Sequence, residues 1–125
     1  MAAVNGNISF NEGYEGFGVK EIMAQWYSGA GDSNGQAWGV TTQSYDGQIV
    51  GFATITANTP TNAYSVRILN DDNVDVLFGS GLSRTNTVNT YQFVLNPGVA
   101  AKTTLNFFIT NANFNRNGNI YLYIR

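Results

Sequence analysis

Neither cysteine nor histidine occurs anywhere in the 125 residues. The first absence removes disulfides and thiolate metal ligands, so packing and hydrogen bonding must hold the fold. The second removes the usual general base and the imidazole metal ligand. Charge is scarce too: six Lys and Arg with eight Asp and Glu make up 11% of the chain, for a formal net charge of −2. Residues 1–46 hold five of the acids and Lys20, and the remainder holds five bases and three acids. Neither part has the clustered Lys and Arg of a nucleic-acid footprint, so no nucleic-acid partner is expected. No apolar run approaches a membrane span, and the opening Met-Ala-Ala-Val-Asn-Gly-Asn lacks the basic flank and apolar stretch of a signal peptide. The expectation is a soluble chain made in the cytoplasm, with no membrane partner.

What is abundant is small, neutral and polar. Asn (17), Thr (12) and Gly (14) dominate, which favours strands and turns over helices. Hydrophobic residues at 43%, with aromatics at 14%, exclude a disordered chain. The length suits one domain burying roughly two thirds of its unfolded surface.

Period-two runs mark the strands. At the C-terminus, Ile120, Leu122 and Ile124 alternate with Tyr121, Tyr123 and Arg125, predicting a half-buried strand held between partners. Leu105, Phe107 and Ile109 alternate likewise in Thr104 to Thr110. Asn117-Gly118 between the two runs predicts that they pair as a hairpin, with these six apolar residues in the core. Further strands are expected at Asn7 to Phe10, Ala37 to Gln43, Gln48 to Ala57, Tyr64 to Leu69, Val74 to Phe78 and Tyr91 to Leu95. Both helix and strand fit Val19 to Tyr27. Short strands at close spacing without strand–helix alternation predict an all-β, antiparallel, jelly-roll-like sandwich as a single domain. It would span residues 19–125, with residues 1–18 as an N-terminal arm or first strand.

Candidate chemistry is sparse. Glu12, Glu15 and Glu21 could supply a carboxylate pair, but a solvated acidic face explains them better. Asp71-Asp72-Asn73-Val74-Asp75 offers oxygen ligands without the Gly and distal Glu of a calcium loop, so a hairpin tip is expected and no metal or cofactor. Asn111, Asn113, Asn115, Asn117 and Asn119 occupy alternate positions: a polar hairpin loop, or an amide face able to hydrogen-bond sugar hydroxyls. Trp26, Tyr27 and Trp38 could stack on a sugar ring, with core filling the alternative, above all for Trp38. Ile8, Phe10, Tyr14 and Phe17, set among glycines, would give an arm that docks on a partner. The loops around Arg84 and Arg116 are the other candidate contacts.

From Gly47 onward the chain resembles jelly-roll carbohydrate-binding modules. The likeness lies in the order Gln48-Ile-Val-Gly-Phe-Ala-Thr-Ile, Tyr64-Ser-Val-Arg-Ile-Leu, Val74-Asp-Val-Leu-Phe, Tyr91-Gln-Phe-Val-Leu, Thr104-Leu-Asn-Phe-Phe-Ile and Gly118-Asn-Ile-Tyr-Leu-Tyr-Ile. The same outline is similar to the β-sandwich decoration, or cement, proteins of tailed-phage capsids. That resemblance implies a non-enzymatic structural module, made in the host cytoplasm and then carried on the virion surface. Its partner would be the major capsid protein or another large assembly, and it would act as a homo-oligomer, with a trimer among the options. The carbohydrate-binding module is the alternative.

Overall fold

A computed structural model describes residues 6–16, 18–29, 36–58, 64–77, 82, 90–92, 99–112 and 116–125. Among them are nine strands and no helix: β1 (Asn7–Gly16), β2 (Val19–Tyr27), β3 (Ala37–Val40), β4 (Tyr45–Asn58), β5 (Ser65–Leu69), β6 (Thr90–Gln92), β7 (Val99–Thr103), β8 (Asn106–Thr110) and β9 (Asn117–Ile124). The larger sheet runs β1-β2-β9-β4-β6, and β7 joins the same strand β4 nearer its start. The smaller runs β3-β8-β5. Every pairing is antiparallel, and the two sheets face each other across one core, as in a β-sandwich.

The C-terminal strand β9 lies inside the larger sheet. It pairs with β2 from Lys20↔Ile124 to Tyr27↔Asn117 and with β4 from Ile49↔Ile124 to Asn58↔Asn117. Its alternate residues Ile120, Leu122 and Ile124 are fully buried, as are Leu105, Phe107 and Ile109 around β8. Burying each such side chain stabilises by about 1.5–3 kcal/mol. Arg125 closes the strand by exchanging backbone hydrogen bonds with Gln48, both at 2.9 Å. Gly47 permits that approach, because a Cβ there would stand 2.8 Å from the Arg125 carbonyl oxygen.

The expected β8–β9 hairpin does not form; the two strands belong to opposite sheets. Asn117 and Gly118 are not a turn but the first residues of β9. Glycine is needed there for packing: a Cβ on Gly118 would lie 2.6 Å from the Ile55 carbonyl oxygen and 3.1 Å from Trp26 Nε1. The chain leaves β8 through Asn111, whose φ of 64° suits an Asn at a strand end.

Val19–Tyr27 is a strand, with Ile22, Ala24 and Trp26 buried in strict alternation. Val74 to Phe78 is not. It makes one bridge, Leu69↔Asp75, then a turn that buries Val76 and Leu77, while Phe78 lies outside the described residues. Val76 N donates to the Ile68 carbonyl at 2.8 Å, and the Asp75 carboxylate ties the turn to β5, its Oδ1 accepting from Leu77 N at 3.0 Å and from Ile68 N at 3.3 Å. Val99–Thr103, given no strand by its sequence pattern, is β7.

In the N-terminal region, expected as an arm or a first strand, a strand forms. β1 pairs with β2 from Asn7↔Tyr27 to Gly16↔Val19, with a register shift between Asn11 and Tyr14. Ile8 and Phe10 pack against the core, and the Phe10 ring meets Phe107 edge-on at 5.2 Å. They are part of this chain's own sandwich rather than a free arm.

Candidate functional site

Two outward faces gather side chains that core formation does not use. The smaller sheet carries the apolar one. Trp38 stands opposite Phe108, and Phe108 opposite Arg67, so the three form one row across β3, β8 and β5. The Trp38 and Phe108 rings are near parallel, 18° apart with centroids at 6.4 Å. Trp38 is 60% exposed and Val40, two residues on along the same face, 40%. Arg67 is exposed beside them.

The reason for this orientation lies on the other side of β3. Ala37 is buried and Gly39 half-buried, and a Cβ on Gly39 would come within 3.0 Å of Ile8 and 3.2 Å of the Phe10 ring. The β1 side chains fill the space under β3, so only its small residues can face inward and Trp38 must face out. The core role expected of Trp38 therefore falls to Trp26. Trp26 is 2% exposed and meets Tyr64 at 5.5 Å across the sandwich. Tyr27 points to the opposite side of β2 from Trp26. The three residues considered for one stacking platform thus occupy three different places.

The second face belongs to the larger sheet and is amide-lined. Register sets Ser9, Gln25 and Asn119 in one row across β1, β2 and β9, and Asn7, Tyr27 and Asn117 in the next. All six point away from the core, because their neighbours Ile8, Trp26 and Ile120 point into it. Together they line a depression of about 370 Å³ floored at Gly118 and Trp26. On the core side of that floor Trp26 Nε1 is buried without an acceptor among the described residues.

Of the proposed amide series, Asn117 and Asn119 are on this face, Asn111 is in the turn after β8, and Asn113 and Asn115 lie outside the described residues. Asn7, Ser9 and Gln25 join them only through strand pairing. Arg116 leads into β9, its backbone tied to Ser28 by N–H···Oγ at 3.0 Å and by Ser28 N–H to its carbonyl at 2.9 Å. Phe17 and Arg84 lie outside the described residues, as does the side chain of Tyr14.

Glu12 is engaged structurally. Glu12 accepts four hydrogen bonds: from Thr42 N at 3.0 Å, Thr42 Oγ1 at 2.7 Å, Gln43 N at 3.2 Å and the Tyr45 hydroxyl at 2.9 Å. Burial alone would raise its pKa, but these donors outweigh burial and hold the carboxyl below its ordinary range. The Tyr45 phenol is pushed well above its usual range by burial and by its bond to the Glu12 carboxylate. Glu21 sits opposite Tyr123, and the Glu15 side chain is outside the described residues.

At the Asp71 to Asp75 tip, Asn70 Oδ1 accepts from Asp72 N at 2.9 Å and Val74 N at 3.0 Å. Asp71 Oδ1 accepts from the Thr104 hydroxyl at 3.1 Å. The Asn70 bonds are turn-forming bonds of the kind Asn makes with nearby backbone, and the Asp71 bond ties the tip to the residues before β8. No three His, Cys, Asp or Glu side chains among the described residues converge on a point that could hold a metal ion.

Compared with protein-family models, curated proteins and solved structures, the chain matches none.

Proposed function

We propose that this chain is a non-enzymatic binding module that attaches to a larger protein assembly, as a decoration or cement protein on a virion capsid. Attachment is through the outer face of the smaller sheet. The observation that carries this reading is the row of Trp38, Phe108 and Arg67, with Trp38 60% exposed. An aromatic side chain buries about 150–250 Å² when fully covered, of which Trp38 still exposes more than half, and Trp and Arg are enriched among the side chains that dominate protein interfaces. The row sits on strands, so little conformational entropy is lost when a partner covers it. The capsid, and assembly there as a homo-oligomer, come from the likeness of strand order to phage decoration proteins. That is an analogy of outline and not of site chemistry.

Virus particles from the source culture provide the test. Mass spectrometry should find the chain in purified particles, and antibody labelling should place it on their outer surface. Purified chain added to particles lacking it should restore full occupancy, whereas the W38A chain, still folded, should not. Absence from the particles, or undiminished binding of W38A, would overturn the reading.

A further inference from the structure

We propose that the amide-lined depression on the larger sheet is a binding site for a neutral saccharide. In a sandwich the outer faces of the two sheets point in opposite directions. A chain seated through Trp38 would therefore leave this depression open, and nothing in its chemistry depends on that seating. The site is a two-by-three grid: Ser9, Gln25 and Asn119 in one row, Asn7, Tyr27 and Asn117 in the next. Adjacent strands stand about 4.8 Å apart and alternate residues along a strand about 6.8 Å apart. Polar groups thus recur in both directions at spacings a sugar ring can bridge.

The side-chain chemistry selects the ligand class. Four of the six are carboxamides, each presenting a donor N–H₂ and an acceptor oxygen together, as paired recognition of sugar hydroxyls requires. Ser9 adds a hydroxyl, and Tyr27 a ring edge with a polar tip. None of the described lining residues is a carboxylate, lysine or arginine, a lining that suits a neutral ligand better than phosphates, sulfated chains or metal ions. No described residue hydrogen-bonds the side chains of Asn7, Ser9, Gln25 or Asn117, so among the described residues no bond is broken when a ligand takes those groups.

The experiment is a titration of the free, ¹⁵N-labelled full chain, so its outcome is independent of any attachment to particles. The probes are maltohexaose, cellohexaose, chitohexaose and mannohexaose, with oligogalacturonate and a heparin hexasaccharide as charged counterparts. At least one neutral probe should shift the side-chain amide resonances of Gln25, Asn117 and Asn119. The Q25A/N119A double variant should keep the wild-type melting temperature and lose about tenfold or more in affinity, the loss expected for two hydrogen bonds. If no neutral probe shifts these resonances at millimolar concentration, the proposal is overturned. Binding confined to the charged probes, or shifts confined to other surfaces, would overturn it equally.

Discussion

The hydroxyl of Tyr45 donates to Glu12 Oε1 at 2.9 Å, joining the outermost strand of the larger sheet to the start of β4. With the Thr42 and Gln43 donors, this contact fixes the turn between β3 and β4 against β1. The inner side of β3 is covered by residues of the same strand β1, and that covering turns Trp38 outward.

The clasp gives stability a pH window. Glu12 has its carboxyl lowered in the folded state, so its contribution is complete above the unfolded value near 4.5 and is lost as pH falls through the lower folded value. Tyr45 is raised, so its contribution is complete below about 10.0 and is lost as pH climbs toward its folded value. Denaturant unfolding across pH should show a plateau between these limits. E12Q should flatten the acid limb and cost about 1–2 kcal/mol at neutral pH, the lower part of the range for charged hydrogen bonds because the carboxylate is half exposed. Y45F should remove the alkaline limb. Unchanged limbs in both variants would show that the clasp carries no linkage.

Deleting residues 2–18 removes β1 from the edge of the sheet and takes Phe10 from Phe107. The truncated chain should melt far lower or aggregate through the exposed β2 edge. F10A alone should cost about 2–4 kcal/mol, below the full range for a core Phe because the ring is only partly buried. A truncated chain with wild-type melting temperature would mean that β1 is dispensable after all.

Much of the fold was legible because period-two patterning reports burial on a strand whatever its partner. Ile120, Leu122 and Ile124 announced β9, and Leu105, Phe107 and Ile109 announced the buried run around β8. Partnership was not legible. Asn117-Gly118 carries a turn signal, yet its glycine serves the approach of Trp26 and Ile55, a contact some 60 to 90 residues away in sequence. Trp38 misled for a related reason: size suggests interior, but the space beneath β3 belongs to Ile8 and Phe10. Asn117 and Asn119 gave half of the amide face, whereas Asn7, Ser9 and Gln25 reach it only through the β1-β2-β9 register.

Metal dependence has a direct check at the Asp75 turn. D75A should lose about 1–3 kcal/mol, since the Ile68 and Leu77 N–H groups lose a shared acceptor, while D75N, which keeps Oδ1, should lose less. Addition of a chelator should leave the melting temperature of the wild-type chain unchanged. A fall reversed by Ca²⁺ would instead make the Asp71 to Asp75 tip a metal site.

Trp38 is the exposed tryptophan and the proposed contact. Hydroxyl-radical footprinting with mass spectrometry reads it separately from Trp26, the other tryptophan of the chain. In the free chain Trp38 should oxidise readily and Trp26 should be protected, matching exposures of 60% and 2%. On decorated virus particles at full occupancy Trp38 should become protected. Oxidation of Trp38 at the same rate free and bound would contradict attachment through this face.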